Sequence, residues 1–278
     1  MRFKLIGPTT FTISAIGLGD LSLLGATAIL PDESMRVVKS AFERNINIYH
    51  TNDWSSEGKE EILLGQAVSS FRENILLATS HKVHGSPQLI EASFHNSCAR
   101  LKTETLDIYY LSEIDEGSLK ASMTVMRNLL TAGKIQGIGL SNVSAALIEK
   151  AYAICPITAV QIEYSLWDRS TENDDVLATC KRLGIACFST APLGKDRITL
   201  SKETISPLQH SLFKELQTLA SSKGVSPNQL ALAWLISQNC TPLPGAINVE
   251  QLIENCKADD IVLSTKDLAV LNAMSLNR

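Results

Sequence analysis

Eight short apolar runs of strand length recur along the chain, each separated from the next by a longer segment, and that alternation leaves few folds open. The runs are Ala15 to Leu18, Ile46 to Tyr49, Ile75 to Thr79, Leu106 to Leu111, Ile135 to Leu140, Ala159 to Ile162, Ile185 to Phe188 and Pro242 to Leu243. Between them, sets such as Ile90, Phe94, Ser97 and Leu101, or Leu119, Met123, Met126 and Leu130, fall on one face of a helix. Ser86 before Pro87, Ser226 with Pro227 and Gln229, and Ser264 with Asp267 supply helix starts. Ahead of the repeat, Phe3 to Gly7 and Phe11 to Ser14 flank the turn residues Pro8, Thr9 and Thr10 and predict a small hairpin. Over 278 residues this pattern predicts one domain, 1–278, of the α/β class: a closed (β/α)8 TIM barrel with an N-terminal β-hairpin. The alternative is an open Rossmann-type sheet, which needs a G-x-G-x-x-G turn after its first strand. The stretch found there, GLGDLSLLG, does not have that spacing.

In parallel α/β folds the chemistry sits where the carboxyl end of a strand passes into a loop. The stretch Ile46 to Gly65 reads as strand, loop and helix, and its loop is dense in reactive and binding types: His50, Asn52, Asp53, Trp54 and Ser55. Composition removes several other functions. A net charge of −4 without any basic cluster gives no electrostatic footprint for nucleic acid. No secretory leader and no bilayer-length apolar run are present, so a soluble, cytoplasmic protein without a membrane partner is expected. The six cysteines lie far apart with no C-x-x-C spacing and read as reduced and buried. The five histidines include only the loose pair His81 and His84, so no metal site is expected.

Nine stretches, LIGPTTFTISAIGLG, NINIYHTND with EEILLG, ILLATS, LDIYYL, GKIQGIGLSNVS, VQIEYSLWDR, STAPLGK, NQLALAWLISQ and LPGAINVEQLIEN, together resemble the aldo-keto reductases. These are nicotinamide-dependent carbonyl reductases on a (β/α)8 barrel with a hairpin across its bottom, and the resemblance runs essentially end to end. It implies a catalytic tetrad of aspartate, tyrosine, lysine and histidine. Those four places fall on His50, Ser55, Ser80 and Ser112, so all four are substituted. The resemblance also implies that Ser141, Asn142 and Gln161 hold a nicotinamide carboxamide and that Trp167 stacks on the ring. Leu193 and Gly194 would cover the pyrophosphate, and Glu254 and Asn255 would face the adenine. Ile247 stands where relatives carry the basic residue for the 2′-phosphate of NADP. NADP binding is therefore expected to be weak, leaving NAD or no cofactor at all.

Hydride attack on a carbonyl builds alkoxide charge, which a phenol made acidic by a neighbouring lysine can quench and a serine cannot. Ordinary carbonyl reduction is expected to be crippled. Lys82, two residues past Ser80, can curl back into the mouth, His50 is a candidate general acid or base, and Glu113 is placed to orient His50 or carry charge. Asn52, Asp53 and Trp54 are expected to contact substrate, whereas Glu163 is expected to hold the barrel together through a buried hydrogen bond. Three functions fit these residues. The favoured one is a non-canonical enzyme doing acid/base chemistry on a small polar or carbonyl substrate. The others are an inactive ligand- or partner-binding barrel, in which a protein partner covers the mouth, and a slow NAD(P)H-dependent oxidoreductase.

Overall fold

The structure is a computed structural model describing residues 1–7, 9–19, 31–194 and 207–274, the side chains of 31, 55, 56 and 207–209 excepted. The hairpin pairs β1, Phe3–Leu5, with β2, Thr12–Ser14, antiparallel. Seven parallel strands follow in sequence order in one sheet. They are β3, Ile48–Asn52; β4, Leu76–Lys82; β5, Leu106–Ser112; β6, Ile135–Ser141; β7, Ala159–Ile162; β8, Ala186–Ser189; and β9, Cys240–Pro242. The described helices alternate with them: α1, Pro31–Glu43; α2, Lys59–Val68; α3, Ile90–Leu101; α4, Glu116–Thr131; α5, Ala145–Ile154; α6, Val176–Leu183; α7, Pro207–Ser222; α8, Pro227–Ser237; α9, Val249–Cys256; and α10, Thr265–Ala273. Side chains fix several of their starts. Ser226 Oγ accepts from Gln229 N while Gln229 Oε1 accepts from Ser226 N, and Ser264 and Asp267 repeat that reciprocal cap. None of the described helices is long and apolar enough to cross a membrane.

The first expected strand, Ala15 to Leu18, is reduced to a bridge, yet it closes the barrel. Leu18 pairs in parallel with Tyr49, its N–H donating to Ile48 O at 3.0 Å and its carbonyl accepting from His50 N at 2.9 Å. On the other side Gly17 N donates to Pro242 O at 3.0 Å, so this segment joins β3 to β9. A β-carbon on Gly17 would stand 2.4 Å from Leu243 Cδ2 and 2.8 Å from Ile48 Cγ2, which only glycine avoids. The last strand begins at Cys240, ahead of the expected Pro242, because its backbone already pairs with Cys187.

Two apolar layers hold the fold. One lies between sheet and helices, and the other fills the barrel with Ile48, Ala78, Ile108, Tyr110, Ala159, Phe188 and Leu243 together with Ile6 and Ile13 of the hairpin. Asn47, at the entry to β3, accepts from Ser14 N at 2.8 Å and donates to Thr12 O at 2.7 Å, so the hairpin seals the amino-terminal end. Arg2 is clamped to Asp259 through its N–H at 2.6 Å and its Nε at 2.7 Å. The opposite end stays open. There Gly139 makes room for Tyr110: a β-carbon on Gly139 would lie 2.1 Å from Tyr110 Cδ1. We expect Gly139→Ala to destabilise the protein by roughly 1–3 kcal/mol, as overpacking does. A lowered urea midpoint at unchanged m-value is the readout.

Candidate active site

Side chains alternate in and out along a strand, so every second residue of each barrel strand faces the interior. The last inward residues frame a cavity of about 430 Å³ at the carboxyl ends of the strands. His50 and Asn52 come from β3, Ser80 and Lys82 from β4, Ser112 from β5, Ser141 from β6 and Gln161 from β7. Trp54, Glu113, Asn142, Glu163, Thr190 and Leu243 complete the wall. Parallel register sets these neighbours side by side: Asn52 opposite Ser80, Lys82 opposite Ser112, Ser112 opposite Ser141 and Ser141 opposite Gln161.

Three of the four residues singled out by the resemblance, His50, Ser80 and Ser112, therefore meet in one cavity. Ser55, the fourth, heads a short 3-10 turn, Ser55–Gly58, and its side chain lies outside those described. His50 Nε2 is 2.8 Å from Ser80 Oγ, which in turn donates to Gln161 Oε1 at 3.3 Å. With the single hydroxyl proton on Gln161, Ser80 accepts from His50, which puts the imidazole proton on Nε2. The ring stands edge-on to Tyr110, 5.6 Å between centroids at 88°. Burial drives the His50 pKa down to about 3. Burial thus keeps the imidazole neutral near pH 7, against the expectation of a group that changes protonation there. Burial likewise pushes the Tyr110 pKa well above the ordinary range.

The charges lie at the rim instead. Lys82 does turn into the mouth, with Nζ 2.7 Å from Glu113 Oε1 and 5.1 Å from the centroid of the half-exposed Trp54 ring. Glu113 Oε2 meets His84 Nδ1 at 2.8 Å. Glu113 thus carries charge beside Lys82 and His84, one of the two roles expected of it, and His50 is not among its described partners. The Lys82 hydrogen bond holds its carboxyl below the usual range. Asp53 is also drawn away from the mouth, its Oδ2 lying 2.6 Å from His81 Nδ1, and it does not line the cavity. Glu163 and Thr190 do line it. Both follow a strand end, the signal by which Thr190 could have been found.

A dinucleotide was also implied, and the residues that would hold its nicotinamide fit. Gln161 Nε2 is buried without a hydrogen-bond partner, an open donor beside Ser141 and Asn142 in the cavity wall. Such a donor suits a ligand carbonyl of the carboxamide kind. Trp167 is buried against Gly194, where a β-carbon would approach Trp167 Cδ1 to 2.7 Å, and neither residue lines the cavity. Leu193 packs beside Ile16, Leu232 and Ala258. At the far end Glu254 Oε1 accepts from Ser226 Oγ at 2.5 Å, and Asn255 Nδ2 donates to Gly245 O at 3.1 Å. Ile247 is exposed, its N–H bonded to Gln251 Oε1 at 2.8 Å.

A closed parallel barrel plugged at one end and open into a polar cavity at the other defines a (β/α)8 protein. Comparison with known proteins narrows this further. The chain belongs to the aldo/keto reductase family, whose model matches residues 15–275. A Glycine max protein named "Probable aldo-keto reductase 1" is 31% identical over 297 residues, covering 95% of this chain and 86% of that one. A thermostable aldo-keto reductase solved with the inhibitor epalrestat is similar at 29% identity and a TM-score of 0.87, over 99% of this chain and 100% of that one. An aldo/keto reductase of Klebsiella pneumoniae solved with NADP and acetate is similar at 25% identity and a TM-score of 0.84, over 94% and 91%.

The neutral His50 has a consequence for stability. In the unfolded chain an imidazole binds its proton near 6.5, whereas folded His50 does so only near 3. Between those values the unfolded state holds the extra proton, so stability falls as pH is lowered through that window, by at most about 1.4 kcal/mol per pH unit. His50→Asn is expected to flatten this part of the stability profile in urea melts. In the parent protein the His50 imidazole NMR signals should not titrate between pH 8 and about 5.

Proposed function

We propose that this chain binds a small polar or carbonyl substrate at the barrel mouth and performs proton-transfer chemistry there, an isomerisation, elimination or cyclisation, in place of ordinary carbonyl reduction. The observation that carries this reading is the His50–Ser80 hydrogen bond at 2.8 Å, which stands where the family has an aspartate and a lysine. A neutral imidazole and a hydroxyl can orient a ligand. They cannot deliver a proton to a growing alkoxide or neutralise it, and losing one such electrostatic contact costs on the order of 10²-fold in rate.

The cationic side chain of the described cavity wall is Lys82, and Glu113 is ionised beside it. In the proposed reaction Lys82 stabilises the negative oxygen that develops when a carbon next to a carbonyl loses its proton, and Glu113 takes that proton. The C–H bonding pair moves into the enolate; where that carbon carries a hydroxyl, Glu113 returns the proton to the former carbonyl carbon while the hydroxyl proton passes to the first oxygen and the hydroxyl-bearing carbon becomes the carbonyl, so no oxidant or reductant is consumed. His50, Ser80 and Ser112 fix the substrate by neutral hydrogen bonds. Where a nicotinamide dinucleotide is bound it would supply hydride chemistry, and Gln161, Ser141 and Asn142 are the residues that would hold its carboxamide. The absence of a basic side chain at Ile247 favours NAD over NADP.

A second reading keeps the ligand site without turnover. It is favoured by the Lys82–Glu113 pair itself, in which each charge is already answered within the protein.

Joint replacement His50→Asp, Ser55→Tyr, Ser80→Lys and Ser112→His is expected to raise NADH-dependent reduction of simple aldehydes by at least about 10²-fold over the parent. A parent protein that already reduces them at the rate of the fourfold variant overturns the proposal. Ile247→Arg should tighten NADPH roughly tenfold relative to NADH in tryptophan-quenching titrations, as one added charge-assisted contact to the phosphate implies.

A further inference from the structure

The rim cluster names a substrate class for this site, an inference that rests on the proposed acid/base reading for its chemistry but not for its test. We propose that Glu113 is a resident counter-ion occupying the place on Lys82 where the carboxylate of an anionic substrate docks, a carboxylic acid with a carbonyl close to it, as in a 2-oxo acid. Docking then exchanges one carboxylate for another at the Lys82 ammonium and releases Glu113.

Four observations carry this. Among the described residues lining the cavity Lys82 is the only lysine or arginine, so an anion entering it meets one described cation. Its ammonium is held from two sides, by Glu113 Oε1 at 2.7 Å and by the Trp54 ring at 5.1 Å, at the opening of the cavity. Glu113 holds a second donor, His84 Nδ1 at 2.8 Å from Oε2, so it keeps a charge-assisted hydrogen bond after leaving Lys82. Besides the Lys82–Glu113 pair and the carboxylate of Glu163, the described wall carries uncharged hydrogen-bonding groups, with Ser80, Ser112, Ser141, Asn142 and Gln161 available to a carbonyl or hydroxyl next to the substrate carboxylate.

The opposite assignment, a cationic substrate displacing Lys82 from Trp54 and Glu113, fares worse on the same contacts. An expelled Lys82 leaves both of its described partners to the newcomer and gains neither in return. In the anionic exchange every charge ends with a partner: Lys82 with the substrate, Glu113 with His84. The exchange also serves the chemistry, because the Lys82 hydrogen bond is the largest influence keeping Glu113 a weak base. A substrate carboxylate that takes over Lys82 unmasks the base at the moment it arrives.

The test is binding without turnover. Acetate, pyruvate and benzoate, each paired with its uncharged amide, are titrated against the full chain by calorimetry, with Trp54→Phe and fluorescence locating the site. Saturable binding of at least one acid, roughly tenfold or more tighter than its amide, is expected. Lys82→Met should erase that preference. Glu113→Gln should strengthen acid binding several-fold, because the competitor has lost its charge. Circular dichroism confirms that both rim variants remain folded. No saturable binding of any acid up to roughly 10 mM overturns the proposal. Equal affinity for acid and amide does so as well, as does a Glu113→Gln variant that binds acids no better than the parent. Since no turnover is read, failure of the proton-transfer reading leaves this outcome unaffected, and the reverse also holds.

Discussion

Everything at the mouth depends on the two-residue alternation of a parallel sheet buried on both faces. Because β3 to β9 run parallel and in order, each strand presents its last inward side chain at the same end of the barrel. A slip of one residue in β4 would turn Ser80 and Lys82 outward and bring His81 in. The register is held from inside by packing as much as by backbone pairing. Tyr110 lies across the space left by Gly139, and His50 meets the Tyr110 ring at its edge. A missing side chain on one strand thus sets the depth of the floor on another.

Upon that floor charge follows depth. The deep described positions hold a neutral imidazole and hydroxyl groups, whereas the ion pairs lie at the rim, where Lys82, Glu113 and His84 remain in contact with water. A field generated at the rim acts most strongly there, and solvent screens it before it reaches the floor.

Much of the barrel was legible in the sequence, because strands buried on both faces must be written as near-continuous apolar runs. Seven runs became strands, and the eighth was reduced to a bridge because Gly17 lies between Ile48 and Leu243 without room for a side chain. The convergence of His50, Ser80 and Ser112 was legible from their places at strand ends. The protonation state of His50 was not, because it comes from burial by residues of other strands, and no local pattern encodes it. The turn of Asp53 toward His81 and of Glu113 toward His84 was equally hidden. Each depends on a partner's backbone direction; His84 and Glu113 both adopt left-handed conformations, φ 45 and 56. Trp167 is buried close against Gly194, where a β-carbon would stand 2.7 Å from its Cδ1, a contact that no local pattern encodes.

The clamp between Arg2 and Asp259 spans 257 positions of sequence. A chain leaving the ribosome in order would have its hairpin and first strands exposed long before the residue that fastens them is synthesised. Closing so large a loop is entropically slow, and until it closes the apolar plug of Ile6 and Ile13 has only part of its socket. The amino-terminal plug is thus secured only once the last segment of the barrel is in place.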